Sequence, residues 1–313
     1  MDWLLAILQT ALFVFGAPLL LGWVKRLKSL SQNRQPAPVI QPYRDLRRLF
    51  HKEVIVSHKA SWIFRVSPYI IFGTAVLAAA VIPLLTTSLP TSAIADVIVL
   101  IGFFALGRFF LALAGMDTGT AFGGMGASRE MTIASMAEPA MLMAVFTLAM
   151  TASTTNLSTA MTFVLHEGLV LRPSFVFAAL GLMMVAVAET GRIPIDNPAT
   201  HLELTMVHEA MILEYSGRYL ALIEWASQIK LMVYGVLVLN LFFPWGIATS
   251  FTAQALLIGA VTIVAKLMLL IFILVISETT LAKMRLFRIP QYLSFAFLLC
   301  LLGALSHVIL EVA

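Results

Sequence analysis

Eight long apolar runs divide this chain, and they leave it very few folds to choose from. The runs lie near 3–24, 68–89, 94–115, 131–151, 174–190, 219–243, 253–277 and 291–311, the fifth being the shortest. A helix needs about 20 mostly apolar residues to cross roughly 30 Å of hydrocarbon. Lipid offers no partner to a backbone N–H or C=O, so only helices and closed barrels cross it. Barrel strands are alternating segments of about ten residues, whereas these runs are longer and continuous. The sequence therefore predicts an all-α, multispanning integral membrane protein of about eight transmembrane helices, forming a single membrane domain over 1–313. Composition agrees: 60% of residues are hydrophobic and 12% charged, with a mean hydropathy of +0.96. Soluble domains carry roughly a quarter charged residues.

The basic residues predict an orientation. The connection after the first run holds Lys25, Arg26, Lys28, Arg34, Arg44, Arg47, Arg48, Lys52, Lys59 and Arg65. The other connections on that side add Arg129, Arg192, Arg218, Lys283, Arg285 and Arg288, while the opposite side has Arg172 alone. An excess of Lys and Arg marks cytoplasmic loops. The segment 25–67 is thus expected in the cytoplasm and both termini on the non-cytoplasmic side of a prokaryotic cytoplasmic (inner) membrane. Orientation accounts for the net charge of +4, so no nucleic-acid partner is expected. The start, Met1-Asp2-Trp3, has no basic leader region, and the first run is read as a retained span. Within the basic segment, Tyr43, Leu46, Leu49 and Phe50 recur at helical spacing among arginines, which predicts an amphipathic interfacial helix facing lipid or a docked subunit.

Ionisable groups inside spans cost from about 2.5 kcal/mol upward and usually face protein or water. Arg108, Glu138, Glu189, Glu224, Lys230 and Lys266 all fall within or at the ends of the apolar runs. Each could be a snorkelling or locally paired structural charge, but six together suggest a buried polar seam. Glu224 and Lys230 are six apart, so their partners are expected on other helices.

The segment after the fifth run is the richest. It places Glu189, Asp196, Glu203, Glu209, Glu214 and Glu224 within 36 positions, with Pro194 and Pro198 interrupting any continuous helix. Carboxylates sharing a poorly hydrated site raise one another's pKa values, a property suited to proton relay. The other reading is an acidic loop solvated at the membrane face. No metal site is expected: His208-Glu209 lacks the second histidine of HExxH, and His201-Leu-Glu203 is followed by no PCxxC. The glycines 115, 119, 123, 124 and 126 match no phosphate loop and predict tight turns and close packing. The lone cysteine, Cys300, can build neither a disulfide framework nor an iron–sulfur site. Any redox centre must then lie on a partner.

The block Glu189-Thr-Gly-Arg-Ile-Pro-Ile-Asp196-Asn-Pro, followed by His-Leu-Glu203-Leu and Glu214-Tyr-Ser-Gly217, resembles the ETNR-x-PFD, ESEL and EYSG blocks of the NADH dehydrogenase subunit 1 family of complex I. Gln41-Pro-Tyr-Arg-Asp45 is similar to its QP-x-x-D stretch, and Arg129 through Glu138 to its arginine and glutamate at the start of span 4. The run Leu106-Gly-Arg108 through Asp117 to Arg129-Glu130, with Leu222-Ile-Glu224-Trp, resembles the membrane-anchored [NiFe] hydrogenase branch, closest to formate hydrogenlyase subunit 4 and hydrogenase-4 component C.

The resemblance implies eight spans and a non-catalytic coupling subunit of an oxidoreductase complex. It implies partners: hydrogenase large and small subunits, a ferredoxin-like iron–sulfur subunit and antiporter-like membrane subunits, with the [NiFe] centre and iron–sulfur clusters carried on those partners and no cofactor bound by this chain. The expected docking face comprises the 25–67 segment and loops 116–130 and 191–218, with Gln41, Asp45, Asp117, Arg129, Glu130, Arg192, Tyr215 and Arg218. The expected ion path comprises Glu138, Glu189, Asp196, Glu203, Glu214 and Glu224, tuned or continued by Arg108, Lys230 and Lys266. Ile195 in place of the family phenylalanine, His201-Leu-Glu203-Leu for ESEL, and Arg34-Gln-Pro-Ala-Pro before the QP block depart from the pattern and weaken the case for a bound quinone. Three alternatives stay open: a quinone-site subunit of a respiratory NADH dehydrogenase complex, a stand-alone ion transporter and a passive scaffold.

Overall fold

The computed structural model describes residues 2–87, 95–167, 172–196, 206–248, 252–282 and 284–311. Eleven α-helices account for most of them: α1 (Asp2–Ser31), α2 (Gln41–His51), α3 (Trp62–Val81), α4 (Val97–Asp117), α5 (Ala121–Ala152), α6 (Leu157–Glu167), α7 (Pro173–Glu189), α8 (His208–Ile212), α9 (Gly217–Phe242), α10 (Ala253–Thr280) and α11 (Ile289–Ser306). Among the described residues there is no β-strand, only the isolated bridges Thr86–Ala248 and Asp96–Asn156. Among the described residues, seven helices are long and apolar enough to cross a membrane, and α7, with 17 residues, is a shorter apolar eighth. This is the expected multispanning all-α class, short fifth element included.

The eight apolar helices alternate in direction, which puts the connections 31–62, 117–121, 189–217 and 280–289 at one end. Cross-contacts agree. Ser61 donates its N–H and hydroxyl to Asp117, at 2.7 and 2.6 Å. The Met284 N–H donates to the Pro194 carbonyl at 2.9 Å. Most lysines and arginines gather here, and we call it the basic end. α9 is the central helix, 67% of its apolar window being buried, and α10 is peripheral at 28%. α10 leans on α1 through Val24, Ile271 and Val275, a small cluster separate from the main core.

Local chemistry sets the helix limits. Ser61, Asp96, Thr120 and Thr252 each accept a backbone N–H at the start of α3, α4, α5 and α10, satisfying donors that a helix start leaves orphaned. Within α1, Pro18 has no N–H for the Val14 carbonyl. The Trp225 indole of α9 donates to that carbonyl at 2.8 Å, so the proline fastens α1 to α9.

Three expectations about segments need correction. α1 continues to Ser31, so Lys25, Arg26 and Lys28 extend a helix and do not begin a loop. Most of the expected 116–130 docking loop is helical, because Thr120 caps α5 and residues 121–130 form its first turns. The glycines there serve packing: a Cβ on Gly123 would sit 2.0 Å from the Gly115 carbonyl oxygen, and one on Gly126 3.0 Å from that of Val207. The 191–218 segment likewise contains α8 and the start of α9.

Candidate functional site

The intramembrane charges converge on Arg108. Its side chain is 4% exposed, and three carboxylates surround it: Glu138 at 2.6 Å, Glu130 at 3.7 Å, and Glu189 in direct contact. Lys230 lies 2.9 Å from the same Glu189 oxygen. Four helices supply the cluster: Arg108 from α4, Glu130 and Glu138 from α5, Glu189 from the end of α7 and Lys230 from α9. Three acids face two bases, so the cluster carries one unbalanced negative charge. Tyr234, one turn below Lys230, stacks on Phe104 with ring centroids 4.8 Å apart and closes the cluster with apolar packing.

A cavity of about 350 Å³ opens above this cluster toward the basic end. Arg108, Glu130, Glu189 and Lys230 bring charge to it from the cluster, and Lys25, Arg192, Asp196, His208, Glu209 and Glu224 supply its other ionisable groups, set in walls that include Leu21, Ile71, Phe103, Phe104, Leu111 and Ile133. Ten ionisable side chains around so small a space offer water the polar partners it needs, between walls that are otherwise largely apolar. Asp196 is buried and accepts the Val207 N–H at 3.3 Å. Among the described residues, Glu209 and Glu224 form no salt bridge to a lysine or arginine. Burial pushes the Glu209 carboxyl above its ordinary range, and the carboxylates of Glu224 and Asp196 add to the effect against an opposing contribution from His208.

The expected path residues thus divide. Arg108, Glu138, Glu189 and Lys230 form one cluster, and Asp196 and Glu224 share its cavity. Glu214 is exposed and outside it. Glu203 lies outside the described residues. Lys266 is elsewhere altogether: its ammonium donates to the Phe243 carbonyl at 2.6 Å and to that of Trp245. These carbonyls sit at the C-terminal end of α9, where a cation satisfies orphan acceptors. The docking residues divide as well. Glu130 belongs to the Arg108 cluster. Asp117 holds Ser61, and the buried Tyr215 donates to the Phe64 carbonyl at 3.0 Å while stacking on Phe64 at 3.9 Å. Internal contacts engage all three, and burial takes Tyr215 away from any docking face, whereas Asp117 and Glu130 stay partly exposed. Arg129 donates to the Met206 carbonyl at 2.9 Å, Gln41 pairs with Asp45 at 2.8 Å, and the exposed Arg218 lies over the Tyr219 ring at 5.5 Å. Gly217 of the EYSG block has φ +56° and packs against the carbonyls of Lys52 and Glu53, an approach that favours glycine twice over.

One buried acid escaped the sequence reasoning. Glu278, 1% exposed, lies 2.6 Å from Lys28 and 3.3 Å from Arg192. It falls one residue past the expected end of the seventh run, so it counted as part of a loop. Among the described residues, no group of three or more His, Cys, Asp or Glu side chains could hold a metal ion.

This arrangement can be set beside known proteins. A profile of the family described as NADH dehydrogenase matches residues 4–311. The chain belongs to that family. It is 31% identical over 302 residues to formate hydrogenlyase subunit 4 of Escherichia coli (strain K12), covering 95% of this chain and 97% of the relative. Hydrogenase-4 component C of the same strain is also 31% identical, covering 95% and 93%. An NADH-quinone oxidoreductase subunit of Paraburkholderia phymatum is 28% identical, covering 85% and 77%. A chain in the structure of the membrane-bound sulfane sulfur reductase, an archaeal respiratory membrane complex, superposes with a TM-score of 0.80 at 18% identity, covering 97% of this chain and 98% of that one. The fold is therefore shared across such complexes. This NADH dehydrogenase family member is an integral, multi-pass membrane subunit of the complex I-related type, and it works among partner subunits.

Proposed function

We propose that this chain is the membrane-anchoring and coupling subunit of a complex I-related [NiFe] hydrogenase of the formate hydrogenlyase or hydrogenase-4 type. The basic end faces the cytoplasm and docks hydrogenase large and small subunits and a ferredoxin-like iron–sulfur subunit. Antiporter-like subunits lie beside it in the bilayer. The redox chemistry belongs to the [NiFe] centre and iron–sulfur clusters of those partners. This chain supplies a route for charge.

The observation that carries the reading is the single cavity joining Asp196, Glu209 and Glu224 to the Arg108 cluster. A proton entering from the basic end meets Glu209 and Glu224, passes through cavity water, and reaches a cluster whose unbalanced negative charge one proton neutralises. A redox change in the docked module alters proton occupancy here through Coulomb interactions, which water would screen but a low-dielectric site does not. The 31% identity to two hydrogenase subunits favours a hydrogenase partner. The ten ionisable side chains give cavity water polar partners along that route.

Replacement of Glu224 or Glu189 by Gln in the assembled complex tests the path. Hydrogen evolution should continue while proton movement per hydrogen, measured in sealed membrane vesicles, falls sharply. Unchanged proton movement in both variants would exclude the path. Copurification of quinone, or inhibition by quinone-site blockers, would instead favour a quinone-site subunit.

A further inference from the structure

Glu278 has no part in the path just described, yet it is a carboxylate buried at the end of the most peripheral helix. Each of its oxygens holds one cation from a different element. Oε2 accepts the Lys28 ammonium of α1 at 2.6 Å, and Oε1 accepts the Arg192 guanidinium at 3.3 Å. Lys28 alone would neutralise it. Buried ion pairs are a poor source of stability, because desolvation offsets the attraction. An ionisable group kept at such a place therefore calls for a functional account.

Arg192 supplies one. It sits in the turn between Glu189 and Asp196, a turn further pinned by the Met284 N–H on the Pro194 carbonyl. Its side chain lines the same cavity as Glu209 and Glu224, which pair with no lysine or arginine among the described residues. A free guanidinium in a small polar chamber seeks carboxylates and binds them in bidentate fashion. A carboxylate so bound keeps its charge and stops exchanging protons near neutral pH.

We propose that Glu278 is a positioning residue: by holding Arg192, it keeps that guanidinium from pairing with Glu209 and Glu224 and so leaves both free to carry protons. This rests on the carboxylate path proposed above. Glu278 itself carries no proton along that path and touches no partner's reacting atoms. Lys28 completes the bracket, tying α1 and α10 to the turn that walls the cavity.

Suppression between variants tests the idea in the assembled complex in sealed vesicles, reading proton movement per hydrogen evolved. Glu278→Gln should lower it severalfold, toward the level of Glu224→Gln. Adding Arg192→Gln to Glu278→Gln should restore most of it, because the guanidinium that quenches the acids is gone. Arg192→Gln alone should lose less than Glu278→Gln alone. A purely structural bracket changes only how much complex assembles, which recovers in the double variant on either account, and leaves proton movement per hydrogen of the assembled complex alike in all three variants. That result overturns the proposal, as does a double variant that fails to assemble. Glu224→Gln separates the two levels. If it abolishes coupling and Glu278→Gln does not, only the role of Glu278 fails; if it changes nothing, the path fails and takes this role with it.

Discussion

The two ends of the bundle solve the same problem with different chemistry. Both must satisfy polar groups near the limits of the hydrocarbon. The end opposite the basic one does so mainly with neutral groups bonded to backbone. Gln9 donates to the Ile82 carbonyl at 3.1 Å and accepts the Leu85 N–H at 3.2 Å, and Asn240 donates to the Pro83 carbonyl at 2.8 Å. Lys266 caps the end of α9 in the same way. These bonds pair helix ends with side chains and leave little for an ion to use. The basic end spends its polar groups on one another and on a cavity. Acids outnumber bases there by one, so a single proton shifts the balance. An intramembrane charge is therefore not functional by residue type. Arg108 and Lys266 are both cations in spans, and only the company each keeps tells them apart.

The strongest test of that contrast removes the cation at its centre. Arg108→Leu leaves the buried Glu189 with Lys230 alone and takes from the half-buried Glu130 and Glu138 the cation they face. Breaking a buried ion pair by removing one partner costs about 3–5 kcal/mol, enough to lower the thermal midpoint in detergent strongly and to reduce the assembled complex in the membrane. Replacing Glu189 by Leu as well should recover part of the loss, because exchanging a whole buried pair for apolar groups is often close to neutral. Equal instability of single and double variants would mean that packing, not charge balance, holds the cluster.

Much of this contrast was legible in the sequence, and the misses have physical causes. Span number and class followed from the length of the apolar runs, which lipid permits to fold in one way only. The convergence of Arg108, Glu138, Glu189 and Lys230 followed from the cost of lone charges: each needed a partner, and the sequence held few. Lys266 was assigned to the same path on that logic, because a sequence does not show that a backbone carbonyl can be the partner. Asp117 and Tyr215 sit in blocks that suggest a docking face, yet one holds the start of α3 and the other stacks on Phe64. Motif membership does not distinguish a side chain that meets a partner from one that shapes the surface. Glu278 was lost to a span boundary, the least certain thing to read from hydropathy, where helical and loop residues have the same composition.

A smaller effect is expected at the opposite end. Lys266→Met removes the donor from the Phe243 and Trp245 carbonyls and should lower stability by roughly 1–3 kcal/mol, the range for hydrogen bonds to a charged group in a partly exposed place. Proton movement per hydrogen should stay at the wild-type level in the same vesicle assay. A loss of coupling without loss of stability would break the comparison, because it would bring the neutral end into the path.

The smallest effect concerns Glu209 and is read as a pH trend. Burial raises its carboxyl above the ordinary value of 4.5, and the Glu224 and Asp196 carboxylates raise it further. The folded protein thus binds this proton more tightly than the unfolded chain does. The sign follows from linkage: the contribution to stability is fully present below the ordinary value and is lost as pH rises through the raised one. Thermal midpoints of wild type and Glu209→Gln, measured in detergent from acid to neutral pH, should therefore diverge in one direction, with wild type falling relative to the variant as pH rises. The divergence should shrink in a Glu224→Gln background, where one of the raising charges is gone. A wild type that gains on the variant with rising pH would show Glu209 stabilised as an anion by a cation in the cavity. His208, Arg192 and Lys25 line that cavity, so this outcome would also mean that one of these bases already occupies the mouth of the path.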